Sequence, residues 1–252
     1  MIELNKIYNE DCLEGMKRIP DKSVDMILCD LPYGVTARNK WDCVIPFEKL
    51  WEHYERIIKE NGVIVLTATQ PFTTDLIQSN RKLFKYSLVW SKSQVTGFLN
   101  AKKQPLRSHE DILVFYRKQP TYKPKMVKGK RVLKSTGGDS TNYGKFTYKP
   151  HYSEWYYPKS IIEIPQKRFK GGHPTQKPVE LMEYLICTYT NENETVLDNC
   201  MGSGTTAIAC INTNRNYIGF ELDEGYFKIA QDRINLLVEA IGENGEWKEG
   251  AE

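Results

Sequence analysis

The chain has 252 residues, of which 40% are hydrophobic and 27% charged, with a formal net charge of +3 and a mean hydropathy of −0.54. No apolar run approaches the roughly 20 residues that cross a bilayer, which excludes a membrane-spanning protein, and the length fits one α/β core with an insertion rather than a repeat array. The charged start, residues 1–6, lacks the apolar core of a secretory signal and predicts a cytoplasmic protein.

Short runs of β-branched and apolar residues predict seven strands, at residues 4–8, 24–29, 63–67, 87–90, 112–116, 195–198 and 217–220. Stretches of helical length lie between most of them, at residues 12–18, 47–59, 72–79, 179–189, 205–212 and 224–240. Strands that alternate with helices indicate βαβ units and a mainly parallel sheet, so the predicted fold class is α/β. The strands at 87–90 and 112–116 have no helix between them and predict an antiparallel hairpin at one edge of the sheet.

Residues 117–172 interrupt this alternation with a stretch rich in Lys, Tyr, Gly and Pro, which predicts an inserted lobe or a long loop. From Arg117 to Lys177 there are fifteen Lys or Arg and three acidic residues, a local charge of +12, so the remainder of the chain carries −9. Cations neutralise phosphates and aromatic side chains contact bases and sugars, which makes nucleic acid the expected partner. A solvated lobe with an aromatic core of its own is the alternative. The aromatic residues are Tyr122, Tyr143, Phe146, Tyr148, Tyr152, Trp155, Tyr156, Tyr157 and Phe169.

A glycine-containing turn, residues 198–207, follows a predicted strand with the sequence Asp-Asn-Cys-Met-Gly-Ser-Gly-Thr-Thr-Ala. Gly202 and Gly204 fit the pattern Gly-x-Gly-x-x-Ala, a helix follows, and Glu221 comes at the end of the next strand, 17 residues beyond Gly204. In nucleotide-binding βαβ units the glycines let a ligand approach the backbone, and the acid accepts hydrogen bonds from ribose hydroxyls. The pattern predicts a cofactor that contains adenosine.

A second motif, Asp-Leu-Pro-Tyr-Gly at residues 30–34, directly follows the predicted strand at 24–29. In isolation, Pro-Tyr-Gly is typical of an ordinary turn. In an open parallel sheet, however, ligands bind at the carboxyl ends of the strands, so we expect this motif and the glycine turn to face one crevice. His109 beside Glu110, before one predicted strand, and Gln70-Pro71-Phe72, after another, also lie at strand ends, where they either line the crevice or are structural only.

The tetrapeptide Asp30-Leu31-Pro32-Tyr33 resembles the Asp-Pro-Pro-Tyr motif of amino-group DNA methyltransferases, and the glycine turn resembles their S-adenosylmethionine loop. The tetrapeptide precedes the turn by about 170 residues, and the sequence Gly-His-Pro-Thr-Gln-Lys-Pro comes shortly before the turn. This order is similar to that of the permuted β class, whose target-recognition region lies between the two motifs.

This resemblance implies a Rossmann-like class I methyltransferase fold with a circularly permuted motif order. It also implies a domain organisation. Residues 1–116 and 173–241 are expected to form the catalytic domain, residues 117–172 a basic and aromatic target-recognition region, and residues 242–252 a flexible tail.

The resemblance assigns the chemistry to the tetrapeptide. The exocyclic amino nitrogen of adenine or cytosine is a poor nucleophile because its lone pair is delocalised into the ring, so the site needs acceptors and alignment more than a strong base. The carboxylate of Asp30 and the carbonyl of Leu31 are expected to accept the two amino hydrogens and aim the nitrogen at the methyl group. Pro32 fixes the turn, and Tyr33 stacks on a base flipped out of the duplex. Leu31 replaces the middle proline of the family but keeps the carbonyl.

The resemblance also implies how S-adenosylmethionine is bound, with S-adenosylhomocysteine as the product. Gly202 and Gly204 are expected beside the methionine and ribose portions, and Glu221 at the ribose. Thr175 and Lys177 are expected near the methionine carboxylate. The full set of predicted cofactor-binding residues is Asp11, Cys12, Thr175, Lys177, Asp198, Gly202, Gly204, Thr205 and Glu221.

Asp11 and Cys12 follow the first predicted strand and match the position at which the family contacts the cofactor adenine. Asp11 is equally expected as the N-cap of the helix that begins at Cys12, and one residue can do both. The chain departs from the family in the glycine turn, where Asn199 and Cys200 replace the usual Pro and Phe. This change removes an aromatic contact and affects the expected cofactor affinity more than the chemistry.

The predicted function is methylation of the N6 amino group of adenine in double-stranded DNA. Aspartate at the head of the tetrapeptide favours adenine, because cytosine-amino enzymes of the family more often have serine there. Methylation of cytosine N4, of RNA or of a protein amide are alternatives, as is a DNA-binding module without activity. The sequence does not decide whether the protein forms a homodimer or whether it has a separate restriction endonuclease as a partner. It also does not give the recognition sequence. The six cysteines show no disulfide or zinc spacing, so we expect reduced thiols and no metal.

Overall fold

A computed structural model of the protein describes residues 2–34, 43–134, 138–142, 144–146, 151–166 and 176–244. The chain divides into a larger compact unit, Met1–Tyr122 with Ser160–Glu252, and a smaller one, Lys123–Lys159. The strands are β1 (Lys6–Tyr8), β2 (Val24–Cys29), β3 (Ile58–Ala68), β4 (Phe84–Thr96), β5 (Arg107–Phe115), β6 (Val127–Lys134), β7 (Gly138–Ser140), β8 (Gly144–Phe146), β9 (His151–Tyr156), β10 (Ile161–Glu163), β11 (Thr195–Asp198) and β12 (Asn216–Phe220). The helices are α1 (Cys12–Met16), α2 (Phe47–Ile57), α3 (Phe72–Ser79), α4 (Val179–Tyr189), α5 (Thr205–Asn212) and α6 (Glu224–Asn244).

One sheet of eight strands forms the larger unit, in the order β1-β12-β11-β2-β3-β5-β4-β10. Neighbouring strands pair in parallel, except that β5 is antiparallel to both β3 and β4. The mainly parallel α/β sheet is therefore confirmed. It has eight strands rather than the predicted seven because the three-residue β10 pairs with β4. For the same reason the antiparallel pair β4–β5 lies one strand in from the edge rather than at the edge.

Side chains that alternate along the central strands pack into two hydrophobic clusters. In β2, Met26 and Leu28 belong to one cluster, whereas Ile27 and Cys29 belong to the other, as expected when successive side chains point to opposite faces of a sheet. Helices α4, α5 and α6 contribute buried residues to the Met26 cluster, and α1, α2 and α3 to the Ile27 cluster. Burial on both faces explains why these strands are apolar throughout.

Four adjacent parallel strands, β12, β11, β2 and β3, end at the same edge of the sheet and carry the functional motifs. Glu221 directly follows β12, Asp198 ends β11, Asp30 directly follows β2, and Thr67 is the penultimate residue of β3. Because the carboxyl ends of parallel strands meet at one edge, residues far apart in sequence become neighbours there. The topology thus places the tetrapeptide beside the glycine turn.

The smaller unit consists of two antiparallel strand pairs, β6 with β9 and β7 with β8. Tyr152 and Trp155 of β9 are exposed. The Arg131 guanidinium lies 5.1 Å from the ring centroid of Tyr152. Cations and aromatic rings therefore lie side by side on the surface of this unit.

The predicted insert, residues 117–172, extends beyond the smaller unit at both ends. Residues 117–122 and 160–166 belong to the larger unit. There, Arg117 forms a salt bridge of 2.8 Å with Glu55, and β10 extends the main sheet. That the insert recognises the DNA target stays a prediction.

Helix α6 continues to Asn244, which shortens the predicted tail of residues 242–252, and the rest of that tail lies outside the described residues. Three aromatic residues of the predicted insert, Tyr143, Tyr148 and Phe169, also lie outside them. Within the described ranges, no helix combines the length and the apolar character that crossing a membrane requires.

Candidate active site

A cavity of about 820 Å³ opens at the carboxyl edge of the sheet, a volume typical of ligand sites. Residues from the tetrapeptide and from the glycine turn line it together. The predicted site residues that line it are Asp11, Cys12, Asp30, Leu31, Pro32, Tyr33, Lys177, Asp198, Gly202, Thr205 and Glu221. Of the other two predicted residues, Gly204 lies outside the cavity lining, and Thr175 lies outside the described residues.

Asp30 is the centre of a hydrogen-bond cluster at the end of β2. Its Oδ1 accepts a hydrogen bond from the Tyr33 hydroxyl at 2.6 Å and another from the Thr67 hydroxyl. Its Oδ2 accepts a hydrogen bond from the Lys177 ammonium at 2.5 Å. The carboxylate is therefore held by the tetrapeptide itself, by β3 and by the segment that precedes α4.

The Lys177 ammonium sets the protonation state of Asp30. Burial alone would raise the pKa of Asp30, but the charge of Lys177 and the hydrogen bonds to the carboxylate outweigh burial, so the pKa lies below its usual value. Burial would likewise lower the pKa of Lys177, but the charges of Asp30 and Glu110 outweigh it and raise that pKa. Asp30 is thus an ionised acceptor at neutral pH, and Lys177 is a cation.

A row of alternating charges extends from Asp30 into β4 and β5. The Lys177 ammonium lies 3.2 Å from Oε2 of Glu110, and the Lys92 ammonium lies 3.0 Å from Oε1 of the same carboxylate. The two lysine side chains are only 6% and 4% exposed, so each depends on its acidic partners. The Lys177 ammonium lies between Asp30 and Glu110, as expected for a buried cation, and its contact with the methionine carboxylate of the cofactor stays a prediction. Lys92 belongs to none of the sequence motifs, and the sequence analysis did not predict its place in the site.

The Tyr33 ring lies against a second aromatic residue. Its centroid is 5.2 Å from that of Phe72, the first residue of α3, and 5.8 Å from the Lys177 ammonium. Together with the hydrogen bond to Asp30, these contacts fix the orientation of the ring. Phe72, for which the sequence left the role open, therefore supports the tetrapeptide.

The two glycines of the glycine turn have different surroundings. Gly202 has φ +55°, and a β-carbon built on it would meet nothing within 4 Å, so its backbone faces open space in the cavity. Gly204 has φ +83° and packs closely on α6, where a β-carbon would lie 3.1 Å from that of Ala230. The close backbone approach that a cofactor requires is thus available at Gly202, whereas Gly204 serves the packing of two helices.

Asp198 and Glu221 hold the glycine turn in place. Asp198 accepts hydrogen bonds from the Cys200 N–H at 3.0 Å and the Thr206 hydroxyl at 2.6 Å. Glu221 accepts one from the Gly202 N–H at 2.7 Å. Burial raises the pKa of Asp198 to about 6 and raises that of Glu221 as well. A carboxylate has about four lone-pair sites, so Glu221 retains the capacity to accept ribose hydroxyls.

Asp11 is the N-cap of α1, and its Oδ1 accepts a hydrogen bond from the Leu13 N–H at 2.8 Å. The capping alternative is confirmed, and a contact with the cofactor adenine stays a prediction. Where the family has Pro and Phe, the amide of Asn199 accepts a hydrogen bond from the buried Tyr54 hydroxyl at 2.5 Å. The same amide donates to the sulfurs of Cys12 at 3.6 Å and Cys200 at 3.5 Å. Hydrogen bonds therefore hold this part of the turn in place of the aromatic residue.

Comparison with known proteins identifies the family. A profile for N6 and N4 methyltransferases, described as DNA methylase, matches residues 24–232, more than four fifths of the chain. The chain belongs to this family. The DNA methylase is 29% identical to the DNA adenine methyltransferase YhdJ of Escherichia coli (strain K12), over 93% of this chain and 84% of YhdJ. It is 26% identical to the type II methyltransferase M1.MboII of Moraxella bovis, over 94% of this chain and 99% of that protein.

Solved structures share the fold of the DNA methylase. The complex of M1.HpyAVI with SAM is 26% identical and superposes with a TM-score of 0.62, covering 90% of this chain and 98% of that one. The cytosine-N4-specific PvuII DNA methyltransferase, at 14% identity, superposes with a TM-score of 0.68 over 90% and 85% of the two chains. The class I methyltransferase fold is confirmed, and S-adenosylmethionine is the cofactor that this family uses.

Proposed function

We propose that this DNA methylase transfers a methyl group from S-adenosylmethionine to the N6 amino group of adenine in duplex DNA, with the base flipped out. The observation that carries the proposal is that the ionised Asp30, the Tyr33 ring and the open backbone of Gly202 line one cavity. The aspartate at the head of the tetrapeptide favours adenine, and the relative YhdJ is an adenine methyltransferase. The order of the two motifs supports the permuted β class.

The chain's own residues activate the amino group. S-adenosylmethionine supplies an electrophilic methyl group when it is bound. The Asp30 carboxylate accepts one amino hydrogen and the Leu31 carbonyl accepts the other, which draws the lone pair out of conjugation and points it at the methyl carbon. A nitrogen–carbon bond forms, the carbon–sulfur bond breaks, and the nitrogen releases a proton through Asp30 to water. Because Lys177 and Thr67 already hold Asp30, little reorganisation is needed when the base arrives.

The Tyr33 ring provides the surface on which the flipped base stacks. An extruded base loses its stacking partners in the duplex, and stacking on an aromatic side chain returns about 1–3 kcal/mol. Phe72 supports the ring from within the protein. The ring and the carboxylate therefore fix the base in position and in orientation.

The residues around the glycine turn fit S-adenosylmethionine. The space beside Gly202 accommodates the methionine and ribose portions, and Glu221 is within reach of the ribose hydroxyls. Asp11 and Cys12 line the same cavity from α1 and are the proposed contacts of the adenine ring. Lys177 lines the same cavity and is the proposed contact of the methionine carboxylate, in addition to its bond with Asp30.

We assign target recognition to the smaller unit, Lys123–Lys159, within the predicted insert. Its exposed cations are suited to phosphates and its exposed aromatic residues to bases. Replacing the exposed Lys130 and Arg131 by alanine is expected to weaken DNA binding and to reduce the slope of log affinity against log salt by about one per lost phosphate contact. Titrations at several salt concentrations measure both quantities, and an unchanged slope would show that these cations do not contact DNA.

The deciding experiment incubates the protein with labelled S-adenosylmethionine and unmethylated duplex DNA, digests the DNA and identifies the labelled nucleoside. We expect N6-methyladenine, and the Asp30→Ala variant serves as the inactive control. Label in N4-methylcytosine would overturn the adenine assignment, and transfer that excess RNA suppresses would point to RNA. Sequencing with modification detection on the same DNA locates the target site.

A further inference from the structure

The loop that joins β4 to β5, residues 97–106, exposes a pair of large hydrophobic side chains. Phe98 is 76% exposed and Leu99 is 85% exposed, and Val95 and Leu106 at the two ends of the loop are 52% and 40% exposed. Single exposed hydrophobic residues are common on protein surfaces, but a contiguous group of them marks an interaction site.

The backbone of this β4–β5 loop is ordered by hydrogen bonds of its own. Gly97 adopts φ +87°, and Phe98–Asn100 form a 3₁₀ turn. The Asn100 N–H donates to the Gly97 carbonyl at 2.9 Å, and the Lys103 N–H donates to the Asn100 carbonyl at 2.8 Å. Two successive turns therefore present Phe98 and Leu99 on a defined scaffold.

The β4–β5 loop lies at the rim of the active-site cavity. Thr96 and Arg107, which pair with each other where the two strands end, both line the cavity that contains Asp30. Phe98 is two residues from Thr96, so its Cα lies within about 8 Å of that of Thr96. The hydrophobic pair is thus next to the space that a flipped base has to enter.

The charge around the pair is positive. Residues 95–107 contain Lys102, Lys103 and Arg107 and no acid, although the chain outside residues 117–177 is acidic. All three cations are exposed, and none forms an ion pair with the residues that the structure describes. Hydrophobic side chains flanked by unpaired cations fit a polyanion with stacked apolar rings inside, which is duplex DNA. A second copy of the chain would bring like charges together.

We infer that Phe98 and Leu99 insert between base pairs of the duplex beside the target and occupy the space that the flipped base leaves. The inference rests on the proposed function and adds to it the element that stabilises the flipped state. Apolar side chains that enter a base step unstack it, and the cations at residues 102, 103 and 107 neutralise the adjacent phosphates. The loop lowers the free energy of the extruded state, which is the state that reaches Asp30.

The test compares two duplexes that carry the target site found by modification sequencing. In one the target adenine is paired with thymine, and in the other it lies opposite an abasic position, where flipping requires less free energy. For the double variant Phe98→Ala with Leu99→Ala we expect kcat/KM to fall by about tenfold to a hundredfold on the paired duplex, as when a stacking contact is lost. On the abasic duplex most of the activity is expected to return. Leu236→Ala, which removes a leucine that is 66% exposed on α6, is the matched control.

Each outcome decides the question. Equal losses on both duplexes, or no loss on either, would overturn the inference while leaving the proposed function intact. A lower association state of the double variant in sedimentation experiments would assign the loop to contacts between copies of the chain and overturn it as well. Wild-type protein that transfers no methyl group to any duplex would overturn the proposed function, and the inference with it.

Discussion

Asp30 and Asp198 are carboxylates at the carboxyl ends of the neighbouring strands β2 and β11, yet their surroundings move their pKa values in opposite directions. At Asp30 the charge of Lys177 overcomes burial and lowers the pKa. At Asp198 burial raises the pKa to about 6. Glu221 resembles Asp198, since burial raises its pKa and its partners are backbone N–H groups. In the half of the cavity around Asp30, a cation therefore neutralises the carboxylate. In the half around Asp198 and Glu221, the carboxylates are held by uncharged hydrogen-bond donors.

This difference matches the two ligands of the proposed reaction. The half around Asp30 maintains an anion that accepts hydrogen bonds from an amino group. The carboxylates of Asp198 and Glu221 form no salt bridge with a Lys or Arg in the described part of the chain. A cationic ligand is therefore attracted to that half, and S-adenosylmethionine carries a sulfonium and an ammonium group.

Asp30→Ala tests the first half most directly. We expect kcat for methyl transfer to fall by about 10²–10³-fold, the usual effect of removing a preorganised hydrogen-bonding group at the reacting atom. The affinity for S-adenosylmethionine, measured by calorimetry, is expected to change by no more than a few-fold, because the proposed mechanism places Asp30 at the base rather than at the cofactor. A variant with wild-type kcat would remove Asp30 from the mechanism.

Lys177→Met tests whether the cation keeps Asp30 ionised. Without the ammonium, burial raises the pKa of Asp30, so the acid limb of the kcat–pH profile is expected to move to higher pH and kcat at pH 7 to fall by about tenfold to a hundredfold. Lys92→Met is the matched control, because it removes a cation from Glu110 but none from Asp30. If the acid limbs of the two variants coincided, Lys177 would have no special effect on Asp30.

Asp198→Asn tests the other half of the cavity, through the pH dependence of the free energy of unfolding. The pKa of Asp198 is about 6 in the folded protein against 3.8 ordinarily, so between about pH 4 and pH 6 the folded chain holds a proton that the unfolded chain releases. The contribution of Asp198 to the free energy of unfolding is therefore expected to decrease as pH rises through this window, by on the order of 3 kcal/mol, and to level off above it. Urea unfolding across this range should show a smaller decrease for Asp198→Asn, and equal pH slopes would contradict the assignment.

Gly202→Ala and Gly204→Ala separate cofactor binding from packing. Both positions have positive φ, which costs a non-glycine residue about 1–2 kcal/mol. At Gly202 the added methyl group occupies ligand space, so we expect the Kd for S-adenosylmethionine to rise by about tenfold. At Gly204 it meets Ala230, so the thermal midpoint is expected to fall further than for Gly202→Ala, with less change in Kd. A larger rise in Kd for Gly204→Ala than for Gly202→Ala would show that Gly204, rather than Gly202, lies against the cofactor.

Elements with a strong local pattern were predictable from the sequence. The predicted bounds agree with those of β2, β11, α3, α4 and α5. The local residue pattern is enough to identify apolar strands that are buried on both faces and amphipathic helices. Strand β10 was missed. It has only three residues in a basic, aromatic segment, and its place beside β4 depends on a partner about 70 residues away.

That the two motifs meet in one cavity was predictable, because the carboxyl ends of parallel strands lie at one edge of the sheet. The row of alternating charges that extends from Asp30 was not predictable. Lys92 lies on β4 and Glu110 on β5, and their contact depends on the register of an antiparallel pair in which Trp90 lies opposite Glu110. One weak signal was available, since Lys92 is two residues from the buried Trp90 and so lies on the same face of the strand. Nothing in the spacing connects Lys177 to Asp30, because the two are 147 residues apart and the contact exists only in the folded chain.

The bond between the Tyr33 hydroxyl and Oδ1 of Asp30 has a consequence for selectivity among bases. The carboxylate oxygen that the amino group needs already has a donor, so an entering adenine exchanges one hydrogen bond for another and gains little net affinity from that contact. A base that presents a carbonyl at the same position displaces the phenol without replacing it and leaves this oxygen with one donor fewer, with the Thr67 hydroxyl remaining. Discrimination at this atom therefore arises from a penalty on the wrong base rather than from a reward for the right one.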